Sequence, residues 1–402
     1  MKIAYGRHVA ADTAVDQCID QLRDVVDATL VVAFCGGRHA PERVRARLAA
    51  RFGDLPILGG AAAGAISRDG FGYSGFELIL GVFEKDDPQP VYAVADGLDR
   101  GERAAGAALG RALAPQIGAG AVVAIFYDSV AEPGALRLHP AAPLVKGFYD
   151  GVGRTDLHLI GGGLLTNMNL DDGWVFAGDV VAKHRAVALA FPPEIGAVTE
   201  IMHGCRPVSS FLKITRARGP TILELDGRSA LETLEERLEI SLDDSNQDQL
   251  SLMATLGRKF GDPFAPFDEK AYVNRLILGA DREAGSITIF EPDFEVGEMV
   301  QIMARDNSLM LASVRDGVAR IADALNGRRP LMSLYIDCAG RASARSGAAE
   351  EEAQAALDQS AGLGPVLGFY SGVEIAPMGQ LSAPLDWTAV MTALYWREDP
   401  RP

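Results

Sequence analysis

The sequence predicts an α/β protein: two domains of mixed sheets with covering helices, built from internally repeated strand–helix–strand units. Three observations carry this. Apolar runs of strand length alternate with helical patterns, as expected of strands covered by helices. The alternation recurs three times along the 402 residues, which argues for internal repetition. The later strands come in close pairs joined by turn signals such as SRDGFGYSG and EAGS, which favours mixed or antiparallel pairing over a purely parallel sheet.

The first repeat is TLVVAFCGG (Thr29–Gly37), a helix in PERVRARLAARFG, and PILGGAAAG (Pro56–Gly64). The second is AVVAIFYDS (Ala121–Ser129), a helix in PLVKGFYDGVG, and HLIGGGLLT (His158–Thr166). The third is PLMSLYIDCAG (Pro330–Gly340), a helix in AAEEEAQAALDQSAG, and PVLGFYSGVE (Pro365–Glu374). A further apolar strand follows each: FELILGVF, AVALAF and WTAVMTALYW. Between the second and third repeats, SSFLKITRARGPTILELDGRSALETLEERL reads as strand, turn, strand, turn and helix. Ser229 caps that helix, and Leu231, Leu234 and Leu238 share one face. Residues 241–270 read as an excursion, either a lid or a plain surface loop, its polar part being SLDDSNQDQ (Ser241–Gln249). The expected division is residues 1–218 and 219–402.

Composition narrows the function. The net charge of −16 repels phosphate backbones and anionic lipid, so nucleic acid and membrane are excluded as first partners. Four scattered cysteines, Cys18, Cys35, Cys205 and Cys338, form no CxxC pair, and read as reduced thiols of a cytoplasmic protein. Neither an apolar leader nor a run of spanning length is present, so no signal peptide or membrane span is expected.

The glycine clusters LGGAAAG and IGGGLL follow strands, where backbone amides line a concave site or glycine permits close packing. Neither matches a phosphate loop or a dinucleotide fingerprint. No HExxH, HxH or GxSxG occurs, so no zinc enzyme and no serine hydrolase is predicted. One imidazole in an apolar pocket suffices for haem. The alternative candidates are His139 in HPAAPLVKGF, His184 between Lys183 and Arg185 (two cations for propionates), and His203 beside Cys205 and Arg206. For each, a hydrogen-bonded structural histidine is the competing reading. Cys338 lies near Arg341, and a cation lowers a thiol pKa, but Asp337 opposes that and the third repeat holds no histidine to serve as base. Cys338 therefore reads as a pocket-mouth residue, with Cys35 at the equivalent stop of the first repeat. Glu374 ends an apolar strand, and Arg341 is its expected partner, structural or at the polar end of a pocket for a zwitterion or carboxylate.

In order and spacing, PILGGAAAGAISRDG, FELILGVF, LIGGGLLTN, WVFAGDVVAKHRAVALAF, the junction HGCRPVSSFLKITRARGPTILELDGRSALETL, and IDCAGR followed by GFYSGVEIAP resemble the FIST family. The resemblance covers nearly the whole chain and departs from the family pattern at LSAPLDWTAV. It implies an N-terminal and a C-terminal FIST domain and a sensory input module rather than an enzyme. It also implies a small ligand such as an amino acid or, in one subset, haem b for nitric oxide. The implied partner is a histidine kinase or a cyclic-di-GMP enzyme such as a diguanylate cyclase; a homodimer is a further possibility. The pocket expected on this reading holds Cys338, Arg341, Tyr370, Glu374, Gly162 and Arg206. A thiol-dependent enzyme using Cys338 is the remaining alternative.

Overall fold

The three sequence repeats become three copies of one sheet. A computed structural model of the protein describes residues 1–133, 137–242 and 250–398. Unit 1 (residues 2–84) contributes, in sheet order, Lys2–Arg7, Glu77–Glu84, Ala28–Gly36 and Ile57–Ala62. Unit 2 (91–190) contributes Val91–Asp96, Arg185–Ala190, Val122–Asp128 and His158–Leu164. Unit 3 (195–396) contributes Ile195–Met202, Ala389–Trp396, Pro330–Cys338 and Val366–Ser371. In each, the last two strands are parallel and the others antiparallel.

Each sheet is completed by a hairpin from another unit. Val175–Gly178 and Val181–Ala182 of unit 2 extend the first sheet. Glu374–Met378 and Leu381–Leu385 of unit 3 extend the second, and Gly64–Ser67 and Gly70–Gly72 of unit 1 extend the third. The exchange is cyclic, so the units share one body with pseudo-threefold order. Aromatic rings of all three meet at its centre: Phe34 stacks on Phe369 at 4.0 Å, with Phe126 edge-on at 5.0 and 5.8 Å. All three are buried, and burial of one such side chain stabilises by about 1.5–3 kcal/mol.

The register settles the glycine clusters. Gly59, Gly161 and Gly368 are opposite Ala33, Ile125 and Tyr335, and a Cβ at any of them would press on that residue's carbonyl oxygen. Here glycine permits close parallel pairing. The same register corrects one equivalence. Cys35 faces Ala61 as Asp337 faces Tyr370, so the counterpart of Cys35 is Asp337 and not Cys338. A one-residue slip reverses the face to which a side chain points.

Between Ile195–Met202 and the helix Asn307–Leu325, strands between residues 206 and 304 form an inserted antiparallel sheet whose core, including Ile214, Leu225, Leu234 and Leu256, is shared with Ile201, Ala376, Leu385 and Val390 of unit 3. The hairpin Leu212–Arg218/Thr221–Leu225 turns at Gly219, beside the expected division after residue 218. Ser229 caps Ala230–Leu238 by accepting from the Glu232 amide. The expected excursion contains a strand, Ala254–Lys259, paired on both sides. Residues 243–249, most of the polar stretch, lie outside the described residues.

Unit 2 has one feature that positions its site. Helices Glu102–Leu113 and Ala141–Val152 run parallel in backbone contact. A Cβ on Gly106 or Gly110 would strike the Leu144 or Phe148 carbonyl; one on Gly147 or Gly151 would strike that of Arg103 or Ala107. Among the described residues no helix is long and apolar enough to cross a membrane.

Candidate functional site

The expected pocket residues divide between a buried interior and a separate cleft. Arg341 is fully buried and its donors are committed. It grips Glu352 through Nε and Nη2, and Nη1 donates to the His203 and Trp387 carbonyls at 3.1 and 3.0 Å. The expected Arg341–Glu374 pair does not form. Glu374 instead accepts from Ser371 Oγ at 2.6 Å, and its Oε2 has no partner among the described residues. Burial pushes the Glu374 carboxyl well above its ordinary range, which favours the neutral form. Asp337 is shifted the same way, by burial and then by the charge of Glu352. Arg341 stays charged because Glu352 faces it. It acts as a clamp joining the third repeat to the linker before the insertion.

Cys338 is buried, and burial pushes its thiol well above the ordinary range. No hydrogen bond from an imidazole reaches it among the described residues, so the arrangement provides no reactive thiolate. Tyr370 donates to Glu351 at 3.0 Å. Gly162 stands opposite Glu374 in the sheet, and a Cβ there would meet the Val373 carbonyl, Ile336 and Phe369. These residues pack the interior.

Arg206 lies elsewhere, in an open cleft of about 320 Å³ between the insertion and helix Asn307–Leu325. Its guanidinium sits 4.5 Å over the Phe267 ring, and Asp316 and Arg320 face it from the helix side of the cleft. Glu269 lines the same cleft. Its carboxylate accepts from Ser313 Oγ at 2.8 Å and from the Gly204 amide at 3.1 Å, so one side chain of the insertion holds both the helix and the linker. Behind it His203 is buried, and burial brings its pKa down to about 4. The imidazole is neutral, accepting from the Cys205 amide and donating to the Glu269 carbonyl, both at 2.9 Å.

A second cleft, of about 390 Å³, opens at the end of Val122–Asp128. Two of the three candidate histidines meet there: His139 Nδ1 is 2.9 Å from Glu102 Oε1, and His139 Nε2 is 3.0 Å from His184 Nδ1. Neither the contact between them nor Glu102 was legible in the sequence. Burial works to raise the Glu102 carboxyl, but the His139 hydrogen bond and the Glu102 amide bring it below the ordinary value.

Haem requires a ligand nitrogen and an apolar slot. His139 and His203 have both ring nitrogens engaged. His184 keeps Nε2 unbonded among the described residues, yet Asp99, Glu102 and Arg137 line its cleft. The flanking cations expected for propionates are taken: Lys183 pairs with Asp172 at 2.6 Å and Arg185 with Asp96. The residues present do not fit haem. No cluster of three or more metal-ligating side chains occurs among the described residues.

The FIST N domain model matches residues 29–228 and the FIST C domain model residues 230–377. Uncharacterised proteins of Mycobacterium tuberculosis are 31% identical over 199 residues, covering 50% of this chain and 51% of theirs. One of Mycobacterium bovis is 30% identical over 233 residues, covering 58% and 59%. The matches thus span between half and three fifths of those relatives' length. Among solved structures, cyanuric acid hydrolase from A. caulinodans aligns over 98% of both chains at 9% identity and TM-score 0.37. A chorismatase aligns over the same share at 10% and 0.36. These neighbours are enzymes, so the expectation that this chain is no enzyme is withdrawn. At such TM-scores the likeness assigns it no activity.

Proposed function

This chain belongs to the FIST family, whose domains are sensory domains of signal transduction, and from that premise we propose that it is a signal-input protein whose small zwitterionic ligand binds in the Arg206 cleft. One observation carries the reading. The cleft lies on the seam between insertion and core, and its wall residue Glu269 ties the insertion to Ser313 and Gly204. A ligand carboxylate would meet Arg206, and a ligand ammonium would meet Asp316 or Glu269. Competition for Glu269 would loosen one arrangement of the seam and favour another, as a population shift requires. The receiving partner in this reading is a signalling protein, either a histidine kinase or a cyclic-di-GMP enzyme.

The test is thermal denaturation and calorimetry of the full chain with the twenty amino acids and small dicarboxylates. A ligand at 100 times its Kd adds about 2.7 kcal/mol, and Arg206→Ala abolishes that gain. If no compound raises Tm, or if Arg206→Ala leaves the gain intact, the reading fails. Absorption spectra with haemin supplied are expected to lack a sharp Soret band; a sharp band lost in His184→Ala would restore haem.

A further inference from the structure

The three units provide an internal comparison at equivalent positions. Leu78, Ala186 and Ala389 face Cys35, Tyr127 and Asp337 in register. Two residues earlier stand Phe76, His184 and Trp387, an aromatic ring in each unit. A cation covers two of the rings: Arg38 lies 5.1 Å from the Phe76 centroid, and Arg305 stacks on Trp387. The residue two before the following helix is His39 in unit 1 and His139 in unit 2. His39 Nε2 bonds the Phe76 carbonyl at 3.0 Å, whereas His139 Nε2 bonds the His184 ring. Unit 2 has therefore replaced a packed ring with a titratable one, over an open cleft.

The backbone at this point is held by several hydrogen bonds. His184 adopts φ 54°, in the left-handed region, as does Trp387. Its amide donates to buried Asp128 at 2.7 Å, and its carbonyl accepts from Gly97 and Leu98 at 3.1 and 3.0 Å. Strain of this kind persists where surrounding bonds over-determine it. The hydrogen bonds also fix the tautomers. Ionised Glu102 only accepts, so His139 carries a proton on Nδ1, and in its neutral form accepts at Nε2. His184 Nδ1–H donates to it, which leaves His184 Nε2 a bare acceptor beside the cleft. Arg137 and Asp99 also line that cleft.

We propose that the unit 2 cleft is a second ligand site, distinct from the Arg206 cleft, and takes a small hydroxy acid whose hydroxyl donates to His184 Nε2 and whose carboxylate meets Arg137. Asp99 accepts from a second hydroxyl where the ligand has one. Glu102 and His139 are positioning residues: they border the cleft, and their hydrogen bonds hold His184 in the accepting tautomer.

The test uses the full chain, L-malate and tartrate as probes, and succinate as the analogue lacking the hydroxyl. Long-range ¹H–¹⁵N spectra of the imidazoles are expected to show His184 protonated on Nδ1, with its Nε2 resonance moving on addition of malate. Calorimetry is expected to show succinate weaker than malate by about tenfold or more, because a site built for a hydroxyl rejects its absence. His184→Phe installs the residue type that unit 1 carries at this place and is expected to fold and lose malate binding. Glu102→Gln is expected to alter the His184 tautomer, read in the imidazole spectra of the free protein, and to weaken malate. The proposal is overturned if His184 is protonated on Nε2, if neither hydroxy acid binds at millimolar concentration, if succinate matches malate, or if His184→Phe binds malate as the parent does. These readouts are at His184, so a failure of the Arg206 reading leaves them standing.

Discussion

Arg341→Met separates a clamp from a ligand-binding residue. In the structure the guanidinium is fully enclosed, holds Glu352 with two nitrogens, and donates to two carbonyls from distant segments, His203 and Trp387. Methionine keeps much of the volume but strands Glu352 in the interior. Breaking a buried pair from one side costs about 3–5 kcal/mol. Unfolding entropy is about 2.1 cal/mol/K per residue, so for 402 residues that cost lowers Tm by roughly 4–6 °C. The double variant Arg341→Met/Glu352→Leu is expected to recover part of the loss, because the Glu352 charge is removed with its partner while Asp337, 3.4 Å from Arg341 Nε, stays buried without a cation. Scanning calorimetry of the parent and both variants reads this directly. A single variant that melts within about 1 °C of the parent while losing ligand binding would refute the reasoning, since the guanidinium would then serve a ligand and not the fold.

Two further outcomes follow from the buried groups and the helix pair. Burial raises Glu291 to about 8 and Asp386 to about 7, so the folded state holds protons that the unfolded chain releases near pH 4; their contribution to stability is present at low pH and falls as pH rises through 5 to 8. Glu291→Gln is expected to flatten that fall in urea midpoints measured from pH 5 to 8.5, and an unchanged slope would count against a protonated Glu291. Gly147→Ala drives a methyl into the Arg103 carbonyl and is expected to cost about 1–3 kcal/mol through overpacking. Because the two helix starts carry Glu102 and lead from His139, it is also expected to disturb the His139 imidazole resonances; unchanged spectra and stability would refute the close backbone contact.

The three strand–helix–strand repeats were legible because each strand is a continuous apolar run that the fold buries on both faces. The cyclic exchange of hairpins was not legible, since short segments such as Gly64–Ser67 and Val175–Gly178 pair with strands far away in sequence, and local pattern says nothing of the partner. The strand Ala254–Lys259 was hidden behind a polar lead-in and its own basic end. Glu374 was expected to end the strand that stops at Ser371 and instead opens the hairpin strand Glu374–Met378 of another sheet; Glu352, one acid in the run AAEEEAQAA, gave no sign that it would turn inward and take Arg341. The spacing of Gly106 and Gly110, and of Gly147 and Gly151, was present in GAALG and GFYDG and marks helices in backbone contact. That signal marks each helix for close packing but names no partner, so Glu102 and His139 stayed apart in the sequence.

The conspicuous polar motif and the accessible chemistry therefore lie at different ends of the same repeated architecture. IDCAGR draws attention to unit 3, yet the charge there is consumed in fastening the insertion: Arg341 reaches the linker carbonyl, Trp387 lies under Arg305, and burial biases Glu374 toward its neutral form. Unit 1 closes the equivalent position with Phe76 and Arg38. In unit 2, among the described residues, this position presents an acceptor nitrogen without a partner beside an open cleft, and the groups that fix it come from two helix starts and a strand end. A fold repeated three times can keep two copies for packing and leave the third free to bind, because the sheet geometry is already secured by the other two. Comparing equivalent positions within one chain thus separates a ring kept for packing from a ring kept for its nitrogen.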